Sequence, residues 1–359
     1  MTVTLGIEGT AWAASAAIFD SNSDTVHIET LPYVPDSGGL HPREAADHMR
    51  KALPKVLETI FTNLETPPDA VAFSRGPGLG PCLRICATAA RALAGTFNVP
   101  LIGVNHMLAH LEVGRHFSGF STPVCLNASG ANAHLLGYHD GYYRVLGETM
   151  DTGVGNALDK FARHVGWAHP GGPQIEKTAI DGSFFDLPYI VKGMDFSFSG
   201  LTTAAITAYD QGHPIEDVCF SLQETIFSIL TEVSERALSL LHCDEFILGG
   251  GVGNNTRLQD MLETMCTDRG AKFFAPEPRF LSDNAGMIAI LGSYMFDVGD
   301  TIPIEDSHVL SNFRPNTVKV TWPVPSRSLS TTSRSTIQGS EALVEFDANT
   351  VWKRRLPKP

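Results

Sequence analysis

Val3-Thr4-Leu5-Gly6-Ile7, Glu8-Gly9-Thr10 and Ala13-Ala14-Ser15-Ala16-Ala17-Ile18-Phe19 form a strand, a polar turn and a returning strand. The same unit recurs about 120 residues on, a spacing counted from these numbers. There Val124 to Ala128 runs into Ser129-Gly130-Ala131-Asn132 and returns over His134 to Tyr138. A weak internal duplication of this kind predicts two mixed α/β lobes of similar build.

Working outward, apolar spacing predicts a helix over 42–64, with Ala45, Met49, Leu53, Val56, Leu57 and Ile60 on one face and a kink at Pro54. A buried strand is expected over 70–74, an Ala-rich helix up to 94, a short strand over 101–104 and a helix over 106–116. The second half reads as more helical: 216–241, then a strand over 245–248, a helix over 256–268 and a closely packing Gly/Ala/Met-rich helix over 284–296. Phe196-Ser197-Phe198-Ser199-Gly200-Leu201 alternates and reads as the end of a half-buried strand.

The chain has 359 residues, 43% hydrophobic and 18% charged, with a net charge of −13. That composition is globular. So acidic a chain cannot coat nucleic acid through bulk charge, so any polyanion site rests on backbone N–H groups, a bound cation, a local basic patch or a basic partner. Cysteines stand at 82, 86, 125, 219, 243 and 266 without a CxxC pair, which argues against a Cys-rich zinc site and a disulfide framework. No apolar run is long enough to span a membrane. The N-terminus enters a strand directly, so no signal peptide and a cytoplasmic location are expected.

Three glycine turns follow strands: Gly6-Ile7-Glu8-Gly9-Thr10, Ser129-Gly130-Ala131-Asn132 and Gly249-Gly250-Gly251-Val252. Such turns let amides approach phosphate, and three together favour a nucleotide between the lobes. His106 and His110 share one helix face and suit a metal. Position 107 is Met, so the zincin His-Glu-x-x-His motif is absent. Asp283 reads either as a third ligand or as the N-cap of the following helix. Glu176 reads as a carboxylate at a helix start, fit for ribose hydroxyls or simply for capping.

Taken together these stretches resemble the TsaD family, in its archaeal and eukaryotic branch that supplies the catalytic subunit of the KEOPS complex. The resemblance is carried by Gly6–Ala11, Ser74–Gly80, His106-Met107-Leu108-Ala109-His110, Ser129–Asn132, Asp159–Arg163, Pro170–Glu176, Phe196–Leu201, Gly249–Val252 and Ser282-Asp283-Asn284, in family order over residues 1–322. It implies an α/β actin-like ATPase (ASKHA) fold of two duplicated RNase H-like lobes with the active site between them. It implies transfer of threonylcarbamoyl from threonylcarbamoyl-AMP to N6 of the adenosine 3′ of the anticodon in tRNAs reading ANN codons. It also implies one divalent ion, iron or alternatively zinc, on His106, His110 and Asp283, and a site that an ATP- or ADP-type nucleotide can enter. Substrate and nucleotide contacts then map to Asn127, Ala128, Ser129, Gly130, Ala131, Asn132, Asp159, Gly172, Glu176, Gly250, Gly251 and Asn255. No general base is assigned. The partners implied are tRNA and the other KEOPS subunits, with no membrane.

Two positions depart from the family pattern. Asn127 stands where relatives commonly carry Tyr, and Thr202 where they often carry Lys. Asn127 keeps open a second reading, a catalytically weak nucleotide-binding scaffold. A metalloprotease rests on the His pair alone, and a small-molecule kinase on the fold alone.

Residues 326–336 hold eight Ser or Thr and no acid. A Ser/Thr-rich linker is expected over 323–338, after two lobes spanning roughly 1–120 with a C-terminal helix, and 121–300. Residues 339–359 resemble the opening of the small KEOPS kinase subunit, so this tail reads as the start of a truncated kinase-like domain.

Overall fold

The computed structural model describes residues 2–35, 39–62, 64 and 66–324. The linker and kinase-like readings of 325–359 lie outside the described residues.

Strands β1 (Val3–Glu8) and β2 (Ala13–Asp20) are almost wholly buried on both faces. They continue into β3 (Thr25–Pro32), whose alternating burial marks a half-exposed edge. Helix α1 (Pro42–Thr62) buries the expected apolar face, and it continues past Pro54, which lies on its exposed side. Then follow β4 (Ala70–Gly76), α2 (Gly80–Phe97), β5 (Leu101–Asn105) and α3 (His106–Ser118).

The second lobe repeats the plan with β6 (Val124–Ala128), β7 (Ala133–His139) and β8 (Tyr142–Glu148). Next come α4 (Val154–His164), α5 (Gly172–Ala179), β9 (Val191–Lys192), β10 (Asp195–Phe196), α6 (Ser199–Asp210) and α7 (Ile215–Leu240). It ends with β11 (Glu245–Gly249), α8 (Thr256–Arg269), β12 (Lys272–Phe274), α9 (Pro278–Leu281) and α10 (Ala285–Asp297).

The two large sheets have the same topology. One runs β3-β2-β1-β4-β5, and the other, in the corresponding sense, β8-β7-β6-β11-β12. In each, three antiparallel strands are followed by two parallel ones. The duplication visible in the first strand pairs therefore extends through all five strands. This is the actin-like arrangement of two RNase H-like lobes.

Helices α3 and α10 lie between the sheets and share one apolar core with Ala72 and Ile102 of the first sheet and Cys125 and Ile247 of the second. The contact is close enough to require glycine. A Cβ on Gly6 would come within 2.4 Å of the Ala285 carbonyl, and one on Gly292 within 2.3 Å of Ala72 Cβ. Helix α3 is consequently buried along its length from His106 to Arg115.

After α10 the chain straps both lobes together. Ile302 bridges to Leu101 and Lys319 to Tyr142. Trp322 then buries its indole, and Nε1 donates to Glu112 Oε1 at 2.9 Å. That carboxylate also accepts from Tyr143 and Arg115, both at 2.7 Å, so its buried charge is fully hydrogen-bonded.

One local expectation fails. The strand over the Phe-Ser repeat stops at Phe196, and α6 begins at Ser199. Both phenylalanines are buried, which produces the alternation. The Asp151 carboxylate accepts from the Phe198 and Ser199 amides at 3.0 and 2.9 Å and starts the helix instead. Burial opposes that charge, but its hydrogen bonds to Ser197, Phe198, Ser199 and Thr152 hold the carboxyl below the usual carboxylate range.

Candidate metal and nucleotide site

A cleft of about 990 Å³ opens between the lobes. His106 and Asp283 line one end of it, and the Ser129–Asn132 turn, Asp159 and Gly251 line its second-lobe wall. His110 lies one helical turn behind His106, 1% exposed.

His106 Nε2 and His110 Nε2 each stand 3.3 Å from Asp283 Oδ1. Asp283 is free to face them because the next residue, Asn284, caps α10 by accepting from the Met287 amide. The capping alternative for Asp283 is thereby excluded. Donors sharing an ion at bonds of about 2.1 Å stand about 3.0–3.4 Å apart, so the observed spacing matches the edge of a coordination shell. Among the described residues these three form the one group of His, Cys, Asp and Glu able to hold a metal, with ligand atoms all within 4.8 Å.

Glu8, which its glycine-turn setting in the sequence does not mark as a site residue, completes the site. It ends β1 fully buried, and Oε2 stands 3.0 Å from His106 Nδ1. Its other oxygen accepts from the Thr10 amide at 2.7 Å and the Thr10 hydroxyl at 2.5 Å. The first glycine turn is thus closed on its own carboxylate rather than open to phosphate. With Nδ1–H directed at Glu8, His106 is held as the tautomer that presents Nε2 to Asp283.

Electrostatics fit a divalent cation. Burial alone would push the His106 imidazole down, but Glu8 and Asp283 outweigh it and raise it to about 10. Burial lowers His110. Burial opposes the Asp283 charge, yet the two imidazoles hold the carboxyl well below the usual range. Two carboxylates, Glu8 fully buried and Asp283 half-buried, thus face one raised imidazole, and a dication with neutral imidazoles would balance both.

Asn127 does not join this group. It is fully buried, its Nδ2 lies 3.7 Å from Met107 Sδ, and its Oδ1 has no hydrogen-bond partner. That oxygen sits where a Cβ on Gly250 would fall, at 2.4 Å, and Gly250 has a positive φ of 86°. Ala128 and Gly250 accordingly lie beneath the turn, outside the cleft wall.

The turn itself is braced. Ser129 Oγ donates to the Asn132 carbonyl, and the Ser129 and Gly130 carbonyls accept from Gly155 and Asn156 at the start of α4. The amides of Ser129 and Asn132 are used inside the turn. Those of Gly130 and Ala131 have no partner among the described residues, and Gly130 faces open space.

Asp159 is engaged on both oxygens, with the Gly171 amide at 2.7 Å and His169 Nδ1 at 3.0 Å. Gly172, Glu176 and Asn255 do not line the cleft. Gly172 is the first residue of α5, and a Cβ there would meet only Leu158 within 4 Å. Glu176 is the fifth residue of α5 rather than its start, and its carboxylate accepts from the Thr256 amide at 2.8 Å. Asn255 caps the same helix, α8, through the Leu258 amide at 3.1 Å.

The model of the family described as tRNA N6-adenosine threonylcarbamoyltransferase, TsaD, matches residues 24–290. The chain belongs to the TsaD family. Its relatives bear this out. A Haloarcula marismortui protein named "Probable bifunctional tRNA threonylcarbamoyladenosine biosynthesis protein" is 62% identical over 99% of this chain and 68% of its own. An Archaeoglobus fulgidus tRNA N6-adenosine threonylcarbamoyltransferase is 52% identical over 89% of this chain and 99% of its own. For the TsaD fold, the T. kodakarensis HypF crystal structure aligns at a TM-score of 0.61 and 14% identity, covering 82% of this chain and 48% of HypF. Component A of the Acidaminococcus fermentans (R)-2-hydroxyglutaryl-CoA dehydratase aligns at 0.51 and 12% identity, covering 81% and 98%. No helix among the described residues is long and apolar enough to cross a membrane.

Proposed function

We propose that this chain transfers a threonylcarbamoyl group from threonylcarbamoyl-AMP to N6 of the adenosine 3′ of the anticodon in ANN-decoding tRNAs. The observation that carries the reading is the convergence of His106, His110 and Asp283 at one end of an interlobe cleft. In a TsaD chain that cleft is where donor and acceptor would meet.

His106, His110 and Asp283 would hold one divalent ion. Two imidazoles and one carboxylate with open positions suit ferrous iron, and zinc is the alternative. When bound, such an ion supplies Lewis-acid polarisation of the carbamoyl carbonyl or the phosphate oxygens. Glu8 fixes the His106 ring, so that Nε2 stays directed at the site. The Gly130 and Ala131 amides, unpaired among the described residues, would donate to the adenylate phosphate as negative charge gathers there. The amine nitrogen attacks the carbamoyl carbon, the mixed-anhydride C–O bond breaks and AMP leaves, and the proton lost from the nitrogen passes to the departing phosphate or to water. Residues beside α8, including Glu176 and Asn255, are read as nucleotide contacts. Reaching a nucleotide in the cleft would require Glu176 to release Thr256.

We also read the remaining organisation from the relatives. The A. fulgidus transferase is matched nearly end to end, whereas the bifunctional relatives also match the tail. This supports a transferase unit ending near 322, with 323–338 as linker and 339–359 leading toward a kinase-like unit. KEOPS subunits as partners and a cytoplasmic setting belong to the same proposal.

The test is transfer of labelled threonylcarbamoyl to an ANN-decoding tRNA, with and without KEOPS subunits. Label on tRNA supports the reading. Nucleotide binding without label under either condition would contradict it.

A further inference from the structure

The Trp12 side chain lies outside the apolar cores of the fold. It follows the first glycine turn and is half-buried in the cleft wall of the first lobe. It belongs to none of the three apolar clusters of the molecule, and its indole N–H has no hydrogen-bond partner among the described residues. Trp322, by contrast, is 3% exposed and bonded to Glu112, the usual state of a structural tryptophan.

Two exposed cations stand in the opposite wall. Lys160 and Arg163 are three apart on α4, on one helix face. Neither side chain has an ion pair or hydrogen bond among the described residues. The acids that share the cleft, Asp159 and Asp283, are in contact with His169 and the histidine pair, and among the described residues neither forms an ion pair with Lys160 or Arg163. Arg163 reaches toward the first lobe, where its Nη1 would lie 3.7 Å from a Cβ on Gly39.

The position along α4 separates this pair from the donor phosphate. The Gly130 turn packs on Gly155 at the start of the helix. At 1.5 Å per residue, Lys160 and Arg163 lie about 7 and 12 Å farther along. One phosphate beside Gly130 does not need both.

We propose that Trp12, Lys160 and Arg163 form a clamp for single-stranded RNA at the cleft mouth. An unpaired base of the acceptor stacks on the indole, and flanking phosphodiesters bind the ammonium and guanidinium. This deepens the proposed function and rests on it for the identity of the RNA. It also gives a chain of net charge −13 a local basic site for a polyanion.

The experiment measures binding of an ANN-decoding tRNA anticodon stem-loop by fluorescence anisotropy over a salt series. The same variants are assayed for transfer, with separate KM values for tRNA and donor. Trp12→Ala should weaken RNA binding about tenfold or more, and Trp12→Phe should restore most of it. Lys160→Gln and Arg163→Gln should each flatten the log-affinity against log-salt slope by about one. All should raise KM for tRNA while leaving KM for the donor near wild type. Circular dichroism checks that each variant folds. Unchanged RNA affinity and slope in folded variants would overturn the clamp. A raised donor KM with unchanged RNA binding would overturn it too, and assign the cations to the donor. Loss of RNA binding in the variants, beside a wild-type protein that binds the RNA but transfers nothing, would leave the clamp standing and refute the transferase reading.

Discussion

Glu8 Oε2 and His106 Nδ1 stand 3.0 Å apart, joining the end of the first strand to the first residue of α3. Ninety-eight residues separate them in sequence, yet the pair sets which ring nitrogen of His106 faces Asp283. Glu8→Gln keeps the size and can still accept at His106, but removes the charge that makes the imidazole a stronger ligand. Metal affinity should fall about 10- to 100-fold with the fold intact. Isothermal titration with ferrous or zinc ion, beside a circular dichroism spectrum, checks this. Unaltered affinity would remove Glu8 from the account.

The metal-free protein should lose stability on the alkaline side. His106 is raised to about 10 in the folded chain, against about 6.5 when unfolded. Stability from its protonated form is fully present below about pH 6.5 and is lost as pH rises toward 10. Thermal melts of chelated protein should therefore decline across that window. His106→Gln should flatten the decline. Equal declines in both proteins would show that His106 does not bind the proton.

Metal uptake should release a proton near pH 8, because His106 must be neutral to serve as a ligand. Titrations in two buffers of different ionisation enthalpy report the number released. In His106→Gln the release should disappear. Retention of the full value would place the proton elsewhere.

Asn127→Leu tests the departure at that position. The Oδ1 of Asn127 is buried without a partner, so an isosteric apolar side chain should leave stability equal or higher, by up to about 1–3 kcal/mol. Transfer should persist, since Asn127 contacts Met107 rather than the metal cluster. Loss of transfer in a folded Asn127→Leu protein would bring Asn127 into the chemistry.

Trp322→Phe removes one donor from the buried Glu112 carboxylate while keeping an aromatic ring. Stability should drop by about 1–3 kcal/mol in urea unfolding. A drop below about 0.5 kcal/mol would show that the strap is not anchored there.

Much of the fold was legible because β1, β2, β6 and β7 are mostly apolar segments on either side of polar turns. The edge strand β8 was not legible. Tyr142, Arg144 and Glu148 disguise a strand whose buried members are Tyr143, Leu146 and Gly147. His106 and His110 were found by helical spacing alone. Glu8 was hidden, because a glutamate in a glycine turn reads as solvated until tertiary packing closes α3 over it. Glu176 shows the converse: its helix begins four residues earlier than its charge suggests, and it caps a different helix, α8. Which carboxylate meets which amide is decided by packing across the two lobes, and local pattern does not encode it.

The central claim is that His106, His110 and Asp283 hold a divalent ion required for transfer. The most direct measurement is the metal content of the purified chain by mass spectrometry, paired with labelled transfer to tRNA before chelation, after it, and after ferrous or zinc ion is restored. The account predicts about one ion per chain, loss of transfer on chelation, recovery on restoration, and neither metal nor transfer in a folded His110→Ala protein. Full transfer by protein shown to be metal-free would contradict it.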